Sequence, residues 1–79
     1  MGSKALQRTF GEAVRLLRQK EGISQEDLAD RAGLHRTYIS LLERGLRNPS
    51  FTVITQLATA LNTTPGDLVH AASAPEPKG

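Results

Sequence analysis

Apolar residues recur at helical spacing along most of the chain. Phe10, Val14 and Leu17 follow one another at intervals of four and three residues, which places them on one side of a helix. A second stripe of this kind consists of Phe51, Ile54, Leu57, Ala58 and Leu61. No segment alternates residue by residue as a half-buried strand does. The pattern predicts an all-α fold, a compact bundle of five helices over residues 6–20, 24–32, 35–44, 50–61 and 64–72.

Polar residues and glycines mark the ends of the predicted helices. Ser24 is followed three residues later by Asp27, the spacing of a capping box. Thr64 is followed by Pro65, a residue favoured at the first helical position, and by Asp67. Stop signals after the first three helices come from Gly22, Gly33 and Gly45. These signals support short connections between helices.

The second and third predicted helices are joined by a short turn around Gly33 and Leu34. A glycine-containing turn between two helices of eight to ten residues, here 24–32 and 35–44, is typical of the helix-turn-helix motif. The pattern alone is moderately specific, because any compact helical protein contains tight turns between helices.

The third predicted helix has two chemically different faces. At about 100° per residue, Ile39, Leu42 and Glu43 point inward. A carboxylate on the inner face is costly unless it is paired. The same projection turns Arg18 of the first helix toward the core, so we expect Arg18 and Glu43 to form a structural ion pair.

The outward face of this helix carries Thr37, Leu41 and Arg44, with Tyr38 and Ser40 at its flanks. An exposed leucine there has two interpretations. Single exposed leucines are common on protein surfaces. Alternatively, such a leucine contacts thymine methyl groups in a major groove.

Positive charge is concentrated in the middle of the chain. The net charge is only +2, yet residues 31–50 contain Arg31, Arg36, Arg44 and Arg47 against the single acid Glu43. Arginine suits planar, two-pronged contacts with phosphate or guanine. The alternative is a solvated helix face with scattered arginines.

Composition excludes several other classes of function. With 79 residues the chain has room for one domain, and without cysteine it has no disulfide, thiolate zinc site or cysteine nucleophile. His35 and His70 are too far apart to form a metal-binding motif. No apolar run approaches the ~18 residues of a membrane span. We therefore expect a protein that is not an enzyme and has no cofactor, metal or small-molecule ligand.

The ends of the chain differ in character from the rest. We expect one domain over residues 6–72, preceded by a flexible N-terminus at residues 1–5, for which a tag remnant is one origin. Residues 73–79 contain two prolines and no large apolar residue, so they are expected to form a disordered tail.

Two stretches together resemble a known family. The stretch GISQEDLADRAGL at residues 22–34 and the following HRTYIS and ERG at residues 35–40 and 43–45 resemble the Xre/Cro-type helix-turn-helix regulators. The resemblance covers roughly residues 6–72 and is closest to restriction–modification controller proteins. It implies a lambda-repressor-like domain, located in the cytoplasm with the nucleoid, that regulates transcription by binding double-stranded DNA. The Arg18–Glu43 pair is also expected from this resemblance.

In that arrangement the helix over residues 35–44 enters the major groove. Arg36 is expected to form a two-pronged contact with guanine; the alternative is a phosphate contact or a solvated side chain. Thr37 is expected to touch a base edge or a thymine methyl group, and Ser40 or Leu41 the next base pair. Tyr38 either bonds a phosphate or packs on the flank of the core. Other contacts to the DNA backbone are expected from Gln25 at a helix N-terminus and from Arg44, Arg47, Asn48 and Ser50 around the next loop. Asn48 is alternatively only a turn residue before Pro49.

The resemblance also implies a homodimer that binds an inverted repeat. One such module makes a small interface with DNA, so useful affinity requires two. The implied dimer contact comes from Leu61, Leu68, Val69 and Ala72; the alternative is that Leu61 and Leu68 complete the monomer core. Activation of transcription would additionally require contact with RNA polymerase.

Two other functions remain open at this point. One is the antitoxin of a toxin–antitoxin pair, which also binds DNA. The other is a protein-interaction module that binds no nucleic acid. Steep salt dependence of binding would favour a DNA-binding protein over the interaction module.

Overall fold

Five helices build the protein, described for residues 3–73 in a computed structural model. They are α1 (Ser3–Glu21), α2 (Gln25–Ala32), α3 (Arg36–Glu43), α4 (Phe51–Ala60) and α5 (Pro65–Ser73). Residues 3–73 contain no strand. The predicted all-α, five-helix architecture is confirmed, and every boundary except the start of α1 agrees with the prediction to within one residue.

Side-chain caps fix the starts of three helices. The Ser24 hydroxyl accepts a bond from the Asp27 amide at 3.0 Å, and the Asp27 carboxylate accepts one from the Ser24 amide at 3.2 Å, so the predicted capping box is present. The hydroxyls of Ser50 and Thr64 likewise accept bonds from backbone amides three residues on. By contrast, the cap residue of α3, His35, makes no side-chain cap bond.

The core is aliphatic, as the composition predicts. Its largest fully buried side chains are Val14, Leu28, Ile39, Leu42, Leu57 and Leu68, which come from all five helices. Burying each such side chain contributes about 1.5–3 kcal/mol. The core therefore holds α3 against α1 and α2 from one side, leaving its opposite face outside the bundle.

Phe51 departs from the predicted stripe of α4. Its side chain is 75% exposed, whereas Leu57 and Ala58 of the same stripe are buried. Phe51 is the first residue of α4. Helical phase shows which side a residue faces, but does not show whether another element covers the first turn. Phe51 therefore keeps the helical spacing of the stripe without joining the core.

Gly11 allows α1 and α3 to approach closely. A Cβ atom at this position would overlap the carbonyl oxygen of Leu42 and lie 2.9 Å from that of Glu43. Any larger residue would force the two backbones apart. Gly11 thereby helps to set the position of α3 relative to the rest of the bundle.

The chain ends differ partly from expectation. The first helix begins at Ser3 rather than Leu6, so residues 3–5, expected to be flexible, are helical. They continue the helix because no glycine or proline interrupts the chain between Ser3 and Phe10. Ser73 completes α5. The remaining expectations for the ends concern residues 1–2 and 74–79, which lie outside the described residues. None of the helices within residues 3–73 is long and apolar enough to cross a membrane.

Candidate nucleic-acid interface

The turn between α2 and α3 is rigidly bonded. Gly33 ends α2 with a left-handed backbone (φ 71°), a conformation that glycine adopts without strain. The Leu34 amide donates to the carbonyl of Ala29 at 2.9 Å, and Leu34 packs against the core. This closes α2 in the manner of a Schellman motif with its apolar contact. The direction in which α3 leaves α2 is therefore fixed by the local sequence.

The side chains on the inner face of α3 are all buried in the core. Ile39 and Leu42 are completely buried, and Glu43 is 6% exposed. Glu43 is the one charged residue classed as buried within the described chain. Such a carboxylate destabilises a small core unless its oxygens are bonded.

Arg18 supplies those bonds. Its Nε donates to Oε2 of Glu43 at 2.7 Å and its Nη2 donates to Oε1 at 3.1 Å, which is the two-pronged geometry of a strong arginine–carboxylate pair. Its Nη1 donates to the carbonyl of Ile23 at 3.0 Å. The hydrogen bond to Glu43 raises the pKa of Arg18 above its ordinary value, although burial opposes the shift. The ion pair expected from the helical projections is present and joins α1 to α3.

Gln25 joins the same network, which sequence reasoning missed. Its Nε2 donates to Oε1 of Glu43 at 3.0 Å. The side-chain amide was expected to hold a DNA phosphate, but one of its donors is already used inside the protein. No pattern in the sequence indicated this contact, because it depends on how α2 packs against α3. Gln25 thus ties the start of α2 to the end of α3.

The outer face of α3 has no comparable contacts. Arg36, Thr37 and Arg44 are exposed, as predicted, while Ser40 and Leu41 are half-buried. Leu41 is therefore less exposed than its outward phase suggests, because phase alone does not account for cover by neighbouring side chains. The surface of α3 therefore consists of the exposed polar side chains of Arg36, Thr37 and Arg44, together with the half-buried Ser40 and Leu41.

Tyr38 lies at the edge of this face. It is half-buried and packs against the core, in agreement with one of its two expected roles. Burial raises the pKa of the Tyr38 phenol above its ordinary value, and the positive charge of Arg47 partly opposes this shift. Arg47 belongs to the loop that follows α3.

The exposed side chains between Gly33 and Ser50 that carry a full charge at pH 7 are all arginines. Arg36, Arg44 and Arg47 are exposed, and none of them takes part in an ion pair within the described chain. The acid in this stretch is buried and paired with Arg18. Exposed acidic side chains lie elsewhere, on α2. The face formed by α3 and the following loop is therefore purely cationic.

The loop after α3 places its polar residues at the surface. Arg47, Asn48 and Ser50 are all exposed. The Ser50 hydroxyl accepts the cap bond of α4 and keeps its own hydrogen available for donation. All three are accessible to solvent, and Asn48 also lines a groove with Pro49 and Val69.

The expected dimer residues divide into two groups. Leu61, Leu68 and Ala72 are 3%, 0% and 8% exposed within the single chain, so their side chains belong to the monomer core, as the alternative interpretation held for Leu61 and Leu68. They are buried because α5 lies against α1 and α4. Val69 is 44% exposed and is the member of the set that reaches the surface.

Val69 lies in an apolar groove that the sequence did not predict. The groove has a volume of about 180 Å³ and is lined in part by Phe10, Pro49, Ile54 and Val69. Phe51, which lies between Pro49 and Ile54 in the sequence, does not line the groove and is exposed to solvent. Phe51 marks this surface because it is an exposed aromatic residue in an otherwise regular apolar stripe. Its exposure becomes evident only once the fold is known.

Several known proteins are similar to this chain in sequence and in fold. A sequence profile described as helix-turn-helix matches residues 14–68. The control protein C.BamHI of Bacillus amyloliquefaciens is 49% identical over 61 residues, covering 76% of this chain and 75% of that protein. The crystal structure of the restriction-modification controller protein C.AhdI from Aeromonas hydrophila gives a TM-score of 0.77 at 47% identity, covering 78% of this chain and 94% of that one.

A third similar protein was crystallised with a ligand. The structure of SinR, a master regulator for biofilm formation, in complex with DNA gives a TM-score of 0.72 at 30% identity, covering 76% of this chain and 97% of that one. These similarities, like the sequence motifs of the chain, relate it to controller proteins and other small regulators. The chain belongs to the helix-turn-helix family of transcriptional regulators.

Proposed function

We propose that this protein binds DNA in a sequence-specific manner and regulates transcription, as a homodimer on an inverted-repeat operator. The observation that carries the proposal is the cationic outer face of α3, which is held rigidly by the bonded inner face and has no partner of its own within the described chain. The resemblance to C.BamHI and C.AhdI supports the role of a controller protein or a small stand-alone regulator. SinR supports DNA as the ligand of this fold.

Arg36 is the principal base-reading residue in this proposal. It is exposed at the first position of α3, the end of a recognition helix that reaches base edges in the major groove. Its guanidinium can donate to O6 and N7 of a guanine together, which discriminates by about 1–3 kcal/mol against other bases. Thr37, Ser40 and Leu41 follow along the same face and contact the adjacent base pairs, Leu41 through a thymine methyl group.

The residues around the interface hold the DNA backbone. Arg44 and Arg47 contribute cations on either side of the turn after α3, and Asn48 and Ser50 contribute neutral donors. The Tyr38 hydroxyl makes no hydrogen bond within the described chain, so it remains available to a phosphate. Gln25 contacts the DNA backbone only through the second side-chain N–H, because the first donates to Glu43. Such contacts position the protein and carry no sequence information.

A second copy of the chain is the proposed occupant of the apolar groove. In a two-fold arrangement Phe51 of each copy packs against Val69 and Ile54 of the other, since a two-fold interface uses the same patch on both subunits. One symmetric contact of this kind would cover both the groove and the exposed Phe51 ring. The dimer would place the two α3 helices about 34 Å apart, the spacing of half-sites one helical turn apart.

Salt dependence tests the proposal. Binding of the full chain to a labelled duplex of about 20 base pairs is measured by anisotropy between about 50 and 200 mM salt. If the dimer contacts six to ten phosphates, the affinity falls by about 10³–10⁵ over this range. Binding that is absent at low salt, or that does not respond to salt, would contradict the proposal. The first of these outcomes would favour a module that binds only proteins.

A further inference from the structure

The start of α1 packs against the loop that follows α3. Gly45 has no room for a side chain there, because a Cβ atom would lie 2.9 Å from the Cα atom of Arg8 and 3.3 Å from its Cβ atom. In addition, Gln7 lines the same apolar groove as Asn48 and Pro49. Two neighbouring residues of α1 are thus placed beside this loop, although the two segments are far apart in the sequence.

The position of Arg8 adds a cation to the surface that carries Arg44 and Arg47. These two arginines lie within two residues of Gly45 in the sequence, and both are exposed. The side chain of Arg8 begins beside Gly45 and is exposed as well. The fold therefore brings together three arginines from two distant segments, which no pattern in the sequence indicated.

No acidic side chain pairs with Arg8 within the described residues. The acid nearest to it along α1 is Glu12, four residues on, and the two form no ion pair. The buried acid at the end of α3, Glu43, is bonded to Arg18. Exposed arginines held close together repel one another in the free protein, and their summed field attracts an anion that can lie across them. The geometry of this surface therefore fits a ligand with several negative charges.

We propose that Arg8 is a contact to the DNA backbone contributed by α1, so that the cationic face of α3 and the following loop continues onto α1. This inference rests on the proposed function and adds to it a residue that lies outside the helix-turn-helix match at residues 14–68. A backbone phosphate is the occupant, because phosphates recur along both strands and a guanidinium binds them through two parallel bonds. Such a contact positions the duplex and carries no sequence information.

The salt dependence of binding tests this contact directly. Affinity of the full chain for a labelled duplex of about 20 base pairs is measured between about 50 and 200 mM salt. Each phosphate contact contributes about 0.9 to the slope of log affinity against log salt, so a dimer of Arg8→Gln should lose about 1.8 from its slope. The fall in affinity over this range should then be about tenfold smaller than in wild type. Arg8→Lys keeps the charge and should keep the wild-type slope.

Lys20 provides a matched control. It is an exposed cation on the same helix, about 18 Å from Arg8 along the helix axis. Lys20→Gln lowers the net charge by the same amount as Arg8→Gln, but should leave the salt slope unchanged. Because Arg8 makes no hydrogen bond or ion pair within the described residues, Arg8→Gln should also melt at the wild-type temperature. A changed slope then reports on the DNA contact and not on stability.

The outcomes separate this inference from the proposed function. A wild-type slope in Arg8→Gln, or an equal reduction in Lys20→Gln, overturns the inference and leaves DNA binding intact. Relaxed preference at a single base pair in Arg8→Gln would also overturn it, since a phosphate contact affects all sequences alike. Absence of DNA binding by the wild-type chain at every salt concentration overturns both.

Discussion

The two faces of α3 differ in what the fold requires of them. On the inner face, Ile39, Leu42 and Glu43 are buried and each carboxylate oxygen is bonded. On the outer face, Arg36 and Arg44 are exposed and have no ion-pair partner within the described chain. Substitutions on the inner face should therefore change stability, and substitutions on the outer face should change binding. This separation allows fold and function to be tested by different residues of one helix.

Removal of the buried carboxylate should produce the largest effect. Glu43→Ala leaves Arg18 and the amide of Gln25 without their acceptor in a poorly hydrated site. Breaking a buried pair in this way costs about 3–5 kcal/mol, a large part of the roughly 4–12 kcal/mol expected for a domain of this size. Thermal or urea unfolding followed by circular dichroism measures the loss. The exposed Glu26→Ala on α2 is the control and should cost less than about 1 kcal/mol.

A double substitution sharpens this result. Arg18→Met with Glu43→Leu removes both charges and keeps apolar volume, which is often neutral or stabilising for a buried pair. The double variant should therefore be clearly more stable than Glu43→Ala. A melting curve of Glu43→Ala that matches wild type would show that the inner face does not depend on this pair.

The opposite face is tested by Arg36→Ala. The substitution should remove about 1–3 kcal/mol of preference for the base pair that Arg36 reads and leave unfolding within about 0.5 kcal/mol of wild type. Affinities for the preferred operator and its single-base variants measure the preference. Arg15→Ala, which removes an exposed arginine from α1, serves as the control. Retained preference in the Arg36 variant would assign base reading to other residues.

The dimer contact is tested by Phe51→Ala. Because this ring is exposed in the single chain, its removal should not destabilise the fold, but it should weaken self-association by about 1–2 kcal/mol. Sedimentation equilibrium of the full chain measures the monomer–dimer constant. The control is Leu16→Ala, since Leu16 is a similarly exposed apolar residue on α1 away from the groove. Equal effects of both substitutions would remove Phe51 from the interface.

The smallest effects are expected at the flank of α3. Arg47→Ala should weaken binding to all duplexes alike, because its contact is to phosphate, and should reduce the salt slope of the proposed dimer by about two, since each subunit loses one contact. The same substitution removes the charge that lowers the pKa of Tyr38. The phenol should then ionise at a still higher pH than in wild type.

Tyr38 can be followed by itself, because the chain has one tyrosine and no tryptophan. Burial raises the pKa of its phenol, so the folded state favours the neutral form. The stability that this provides is present below the ordinary pKa of 10.0 and is lost as the pH rises through the higher value of the folded state. An absorbance titration of the phenolate, compared with the same titration in denaturant, should show the folded curve displaced to higher pH.

Local sequence determined more of the fold than of the interface. The capping box at Ser24, the stop at Gly33 and the inward projection of Glu43 and Arg18 depend on residues close in sequence or on helical phase, and they could be predicted. Whether a neighbouring element covers a side chain depends on packing between distant segments. For this reason the exposure of Phe51 and the half-buried state of Leu41 could not be predicted.

The candidate site shows the same division. The cationic character of the stretch after Gly33 follows from its arginines, so the face itself was predictable. The bond from Gln25 to Glu43 joins residues 18 positions apart on different helices, and it emerged only from the packed structure. The role of each outward residue toward DNA stays a prediction, because contacts to bases depend on how the duplex lies against α3.

Selection of bound sequences from a pool of random duplexes tests the central claim most directly. If the outer face of α3 reads bases, the wild-type chain will enrich a two-fold symmetric motif whose half-sites are separated by about one helical turn. The Arg36→Ala variant will enrich the same motif with one guanine position relaxed in each half. A bound pool that is indistinguishable from the starting pool would contradict the account.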